Sequence, residues 1–278
     1  MRTDKLFVVF GSDSRFEYTL KALERNGHET VSFRDIPELD FSTLRDRDKT
    51  LVLPLPFSRD GKSVNLPSLP YAVTLNGIIG SLKNGDIVFG GMLGEDFIKN
   101  CEAKGASVYD YYDEAMILRN AELTADALLM LIDELSLDKN NLKFAITGFG
   151  RTAKAIAKVF SDNGLDFVII ARSESAENAA KSMNFEFVKL ESFTEKSVFF
   201  DVIINTVPAL IFDGRRLSAL RKGSMIIDIA SAPFGVTEQD ADAHEIKLIR
   251  ALGLPGKYLP EKAGKLIAER IEFYLKGR

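Results

Sequence analysis

The run Phe144-Ala145-Ile146-Thr147 is short, apolar and of strand type, and Gly148-Phe149-Gly150-Arg151-Thr152-Ala153 follows it without a break in G-x-G-x-x-A spacing. A segment of helical pattern comes next, and then a second apolar run, Phe167-Val168-Ile169-Ile170. Strand, glycine turn, helix and strand in that order make a βαβ unit, and the rest of the chain has to be arranged around it. Each small residue of the turn has a physical purpose. Gly148 permits the turn, Gly150 removes a Cβ that would block a diphosphate, and Ala153 lets the helix pack closely on the strand. The helix start, with Arg151 and Thr152, then presents backbone N–H groups and the positive end of its dipole to phosphate.

The second strand ends at Ala171-Arg172-Ser173. An NAD site usually carries Asp or Glu there to accept from the ribose 2′-OH. Here a cation and a hydroxyl stand in that place. Arg172 can form a charge-assisted fork with a 2′-phosphate that a carboxylate would repel, so the cofactor expected is NADP. Arg151, inside the turn, adds positive charge nearby.

At 278 residues and 46% hydrophobic, the chain is long enough for two domains with a core each. Its net charge of −4 offers no broad basic surface, which argues against a nucleic-acid partner. A single cysteine, Cys101, excludes an internal disulfide and a Cys cluster for metal; no metal is expected, and a reducing cytoplasm fits. Met1 to Lys5 leads straight into a strand, and no apolar run reaches membrane-spanning length, so a cytoplasmic protein without a membrane partner is expected. The two histidines, His28 and His244, lie at the ends of expected helices and outside every motif, which argues against a His acid or base.

Before the glycine turn, Leu6 to Phe10 reads as a strand, and Gly11-Ser12-Asp13-Ser14-Arg15 opens a helix with Phe16, Leu20 and Leu23 at helical spacing. That turn has one glycine instead of two and is not expected to hold a nucleotide. Ser12 and Arg15 at the helix start can hold a carboxylate; equally, Ser12 or Ser14 can be an ordinary N-cap and Arg15 a solvated charge. Leu51 to Pro56 begins as a strand that its prolines end, and the polar loop beyond offers Ser58 and Arg59 as second-rank substrate contacts. Gly90-Gly91 closes the strand from Asp86, either for close approach to a ligand or as a tight turn, and a helix over about 95–104 leads to a strand at 106–109. A long amphipathic helix from Glu114 to Leu135 carries Asn120, Thr124 and Asp126 on its first half, facing a cleft or solvent.

After the nucleotide unit come strands at 186–189, 201–208, 224–230 and 247–250. Asn205-Thr206-Val207-Pro208 sets a hydroxyl and a proline where the fourth strand of such a sheet meets the nicotinamide ribose, and Ser231 begins a loop bordering the ring. Asp228 interrupts an apolar run and is expected to have hydrogen-bonded structural partners, because burying a bare carboxylate is costly. Leu252 to Gly264 reads as a Gly/Pro-rich loop before a last helix. The fold expected is α/β, with two doubly wound parallel-sheet domains, the second a Rossmann NAD(P)-binding domain. The expected boundaries are 1–113 for a substrate-side domain, 114–137 for a linking helix, 138–254 for the NADP-binding domain and 255–278 for a helix returning toward the first domain.

With these pieces in order the chain resembles the A-subunit family of bacterial dipicolinate synthases. The likeness rests on Gly148-Phe149-Gly150-Arg151-Thr152, Ala171-Arg172-Ser173, Ile204-Asn205-Thr206-Val207-Pro208, Asp228-Ile229-Ala230-Ser231, and Gly253-Leu254-Pro255-Gly256 followed by Pro260 and Ala263-Gly264. The resemblance implies NADP-linked oxidation of dihydrodipicolinate, a small dicarboxylate, to dipicolinate during spore formation. It also implies a partner, a flavoprotein-like B subunit; a homo-oligomer is expected as well. The residues expected to contact the substrate, read from their places in the chain, are Ser12, Arg15, Ser58, Asn120, Thr124 and Ser231. The sequence departs from the family's pattern in Thr124-Ala125-Asp126-Ala127 for Thr-x-Glu-Gly, in Gly11-Ser12 for Gly-Gly, and in Ala232 and Phe234 where many relatives carry a basic residue and Gly. Two other readings stay open: a dehydrogenase of another small amino or hydroxy acid, and a non-catalytic NADP-sensing protein.

Overall fold

The computed structural model describes residues 5–11, 13–33, 47–67 and 69–277, and the chain separates into two compact units, 1–119 with 259–278 and 120–258. The division falls inside one long helix, between Arg119 and Asn120. Among the described residues no helix is long and apolar enough to cross a membrane.

The first unit contains β1 (Leu6–Val9), α1 (Ser14–Arg25), β2 (Thr30–Ser32), β3 (Lys49–Val52), α2 (Leu75–Ser81), β4 (Ile87–Gly90), α3 (Glu95–Glu102) and β5 (Ser107–Asp110). Its strands are parallel in the order β2-β1-β3-β4-β5. Strands β3 and β4 are wholly buried, as expected when helices cover both faces of a parallel sheet; β4 is an apolar run, whereas β3 opens on Lys49, whose buried ammonium pairs with Asp86. Cys101 packs into this core, and burial pushes its thiol up to about 12, so it stays protonated. Asp13 caps α1, accepting from Arg15 N at 3.0 Å, which corrects the expectation of a cap at Ser12 or Ser14. Helix α2 has no counterpart in the sequence reading, because Gly77 and Gly80 lower its helix propensity; burial of Leu75 and Ile78 and a cap from Thr74 outweigh that.

The long helix α4 (Glu114–Glu134) leads to the second unit: β6 (Lys143–Thr147), α5 (Arg151–Asp162), β7 (Asp166–Ala171), α6 (Glu174–Ser182), β8 (Phe187–Lys189), α7 (Phe193–Lys196), β9 (Val202–Asn205), α8 (Gly214–Ser218), β10 (Met225–Asp228), α9 (Glu238–Ala243), β11 (Lys247–Arg250) and α10 (Leu254–Tyr258). The strand order is β11-β10-β9-β6-β7-β8, all parallel. This is the doubly wound dinucleotide-binding arrangement, and its order reverses between β6 and β9. The α/β class with two parallel sheets, the second a Rossmann domain, is as the sequence predicts.

The stretch Leu252 to Gly264 is not the loop its composition suggests. It holds α10 and the start of α11 (Pro260–Lys276). Pro260 sits in the first helical turn, where its missing N–H has no partner to lose and its fixed φ already suits a helix. Helix α11 lies along α1 in the first unit; Thr19 donates to Gly264 O at 3.1 Å.

Candidate functional site

At the end of β6 the chain turns with φ +82° at Gly148, and a Cβ there would lie 2.8 Å from Thr206 Oγ1. Gly150 differs: a Cβ there would meet nothing within 4 Å, so a side chain would only fill the open space a diphosphate needs. Gly150 is also the N-cap of α5, and no side chain caps that helix start. Ala153 and Ile156 are fully buried on the strand side of α5, which holds the helix start against the turn.

Beside this turn, over the carboxyl ends of β6 and β7, lies a pocket of about 430 Å³. Its walls include Gly148, Gly150, Lys154, Arg172, Ser173 and Ser175, and none of its lining residues is a carboxylate. Ser173 is the N-cap of α6, accepting from Ala176 N at 3.2 Å, and its hydroxyl lies 3.0 Å from that of Ser175. The Lys154 ammonium stands 5.5 Å from the Phe149 ring centroid. Lys158, Lys181 and Lys189 on the neighbouring surface are all ion-paired, whereas among the described residues neither Lys154 nor Arg172 has a carboxylate partner. Two unpaired cations, two hydroxyls and a helix start form a receptor for phosphate, so these residues fit an adenine dinucleotide. Lys154 and Ser175 were not among the residues expected from sequence. The helical repeat was the available signal, since position 154 lies one turn beyond Gly150 on the same side.

On the other side of the reversal point, the carboxyl ends of β6, β9, β10 and β11 carry a buried polar network. Asn205 and Asp228 are fully buried and Thr147 nearly so. Asn205 Nδ2 donates to Asp228 Oδ1 at 2.8 Å and to Val207 O at 3.1 Å, while Asn205 Oδ1 accepts from Thr147 Oγ1 at 2.7 Å and Val207 N at 3.1 Å. Asp228 further accepts from Ala230 N, from Gly235 N at 2.8 Å and from Arg250 Nη1 at 2.5 Å. Asp228 therefore has the structural partners its burial demands. Thr206 Oγ1 donates to Thr147 O at 2.6 Å; Pro208 and Ser231 are exposed on the loops that follow β9 and β10.

The other expected contacts are placed as follows. Arg15 Nε and Nη2 donate to Asp13, and Nη2 also reaches Leu55 O at 3.3 Å. Burial disfavours the Arg15 charge, but the bonds from Asp13 outweigh it and hold the guanidinium above its usual range. Ser12 lies outside the described residues. Ser58 Oγ accepts from Gly61 N at 3.0 Å and lies 3.2 Å from Asp60, inside its own loop turn. Thr124 donates to Asn120 O at 2.7 Å along α4. Gly90 and Gly91 are packing positions: Cβ atoms there would lie 2.4 Å from Leu93 and 2.6 Å from Leu55. The single glycine of the turn after β1 is a packing position, for a Cβ on Gly11 would lie 2.1 Å from the Phe16 Cβ. His28 and His244 lead into β2 and β11, at the amino ends of the strands, opposite the edge where such sheets bind ligands.

Residues 118–254 match the D-isomer specific 2-hydroxyacid dehydrogenase NAD-binding domain. Over 185 residues, 66% of the chain, it is 28% identical to the dipicolinate synthase A-subunit of Bacillus subtilis (strain 168), an alignment spanning 62% of that relative's length. The fold of the dipicolinate synthase A-subunit from Bacillus halodurans superposes with a TM-score of 0.81 at 22% identity, covering 99% of each chain. That of the B. subtilis protein gives 0.79 at 21% identity, covering 100% of this chain and 97% of the other. A transhydrogenase from Sinorhizobium meliloti shares the fold more loosely, with a TM-score of 0.60 at 14% identity over 97% of this chain and 93% of that one.

Proposed function

From the premise that the chain is a homologue of the dipicolinate synthase A-subunit with an NAD(P)-binding Rossmann domain, we propose that it oxidises dihydrodipicolinate to dipicolinate with NADP in spore-forming cells. The observation that carries the cofactor half is the pocket beside Gly148 and Gly150: Lys154 and Arg172 without a carboxylate partner among the described residues, Ser173 and Ser175 adjacent, and no carboxylate in its walls. A 2′-phosphate gains there by charge-assisted hydrogen bonds, and no acid waits for the free 2′-OH of NAD.

Bound at this edge, NADP supplies the two-electron acceptor. The chain's own residues hold and orient. Gly148, Gly150, Arg151 and Thr152 present the glycine turn and helix start to the diphosphate, Ala171, Arg172 and Ser173 hold the phosphorylated ribose, and Thr206, Pro208 and Ser231 frame the nicotinamide end. Oxidation of the dihydropyridine ring would release a proton that water can take, and the gain of aromaticity removes the need for a strong protein base. Asn120 and Thr124 on α4, and Ser231, all of the second unit, are the proposed carboxylate contacts. A second copy of the chain and a flavoprotein-like B subunit are the proposed partners. Oxidation of a 2-hydroxy acid, or reduction of a 2-keto acid, is disfavoured, because neither histidine stands at the ligand edge.

The test is incubation of the full chain with NADP and freshly generated dihydrodipicolinate, with and without a B subunit. Equal amounts of NADPH and dipicolinate are the expected outcome. No product under either condition, with turnover of a small hydroxy or amino acid instead, would reject the substrate and keep the dehydrogenase.

A further inference from the structure

Each of the four strands β6, β9, β10 and β11 ends its apolar run on a polar side chain: Thr147, Asn205, Asp228 and Arg250. These four form one network, in which Arg250 is the only member with appreciable exposure, 20% of its side chain. Besides its bond to Asp228, Arg250 donates through Nη2 to Val236 O, and its guanidinium lies 4.3 Å from the Phe234 ring centroid. Phe234 has φ +69°, a left-handed conformation that costs a bulky residue free energy unless its surroundings impose it. Gly235 is held just as tightly, for a Cβ there would lie 2.3 Å from Asn205 Nδ2. Stability alone does not ask for this arrangement, since a buried ion pair gains little over apolar packing of the same volume. The network bonds to the backbone of two loops, 206–208 and 229–236, at Val207, Ala230, Gly235 and Val236.

We propose that Arg250, Asp228 and Asn205 are positioning residues for the nicotinamide nucleoside: they shape both loops so that Thr206, Pro208 and Ser231 meet that end of the cofactor. Arg250 acts through Asp228 and Phe234, pairing the buried carboxylate and packing over the ring of Phe234. This rests on the cofactor reading above, and two ligands separate the two. Adenosine 2′,5′-bisphosphate carries the phosphorylated ribose without nicotinamide, whereas NADPH carries both.

The experiment uses the full chain and the double variant Asp228→Asn/Arg250→Met, which removes both charges together and leaves no buried ion unpaired. Binding of 2′,5′-bisphosphate is followed by calorimetry, and of NADPH by its dihydronicotinamide fluorescence. The expected result is 2′,5′-bisphosphate affinity within about twofold of wild type and NADPH affinity lower by about tenfold or more. Should the double variant not fold, Arg250→Lys, which keeps the charge and loses the fork, is read in the same way. Unchanged NADPH affinity, or equal losses for both ligands, overturns the positioning role and leaves the cofactor reading standing. Wild-type protein indifferent to both ligands overturns the cofactor reading and this proposal with it.

Discussion

Arg172 and Gly150 act on the same cofactor by opposite means, one by supplying a charge and the other by supplying nothing. Arg172 is exposed at the pocket wall with no carboxylate partner among the described residues, so its whole electrostatic capacity is available to a ligand. A hydrogen bond to a charged group contributes about 1.5–3 kcal/mol, so Arg172→Asp should weaken NADPH relative to NADH by about 10- to 100-fold or more. The ratio of the two dissociation constants, from nucleotide fluorescence, checks this; an unchanged ratio counts against Arg172 as the 2′-phosphate contact. Gly150 has φ −78°, which any residue adopts, and free space where a Cβ would go. Gly150→Ala should therefore leave the melting temperature as it is and still lower nucleotide affinity. The residue types at both positions were legible in the sequence because the motif fixes their places within a few residues of each other. The role of Lys154 was not, because an isolated lysine on a helix looks the same whether or not a carboxylate is folded against it.

At the scale of elements, α11 is held within the first unit by close packing and by polar contacts that include Glu269 with Arg119, Glu272 with His28, and Asp113 with Arg270. A Cβ on Gly264 would lie 2.3 Å from Arg15 O and 2.9 Å from Thr19 N, so the two helix backbones touch at this point. Gly264→Val must push α11 from α1 and should cost about 1–3 kcal/mol or more, read by chemical denaturation. Asp113 accepts from Met116 N at 3.0 Å at the start of α4 and from Tyr274 Oη at 2.8 Å on α11, and it pairs with Arg270. Burial raises its pKa, but the bonds from Met116, Tyr274 and Arg270 together outweigh burial and leave it below the ordinary carboxylate range. A lowered folded-state pKa stabilises above the unfolded value and is lost as pH falls through the folded one. The stability difference between wild type and Asp113→Asn should accordingly be full above about pH 4 and shrink as the pH drops below it, measured from melting temperatures of both proteins across that range. A difference that grows in acid would contradict the sign.

For the whole molecule, two units with separate cores predict that a ligand of one leaves its mark there first. Saturating NADP, at about 100 times its dissociation constant, should stabilise the second unit by about 2.7 kcal/mol. Hydrogen exchange should slow at 148–153, 173–176, 206–207 and 229–235, and protection confined to other segments would displace the site. The sequence by itself determined the parallel α/β class, the strands of both sheets, and the glycine turn with its Arg172 corner, because all of these rest on periodicity and motifs that span at most a few tens of residues. Composition misled it over Leu252 to Gly264, where Pro260 and the glycines belong to helix starts and helix contacts instead of a loop. Only the tertiary structure decided which polar residues were partners. Asn205 meets Asp228 23 positions away, Asp228 meets Arg250 22 positions away, and the fully buried Lys49 meets Asp86 37 positions away. The physical reason is that a buried charge or amide is tolerable only opposite its complement, and the complement arrives from another strand when the sheet is assembled, a pairing that local pattern does not encode.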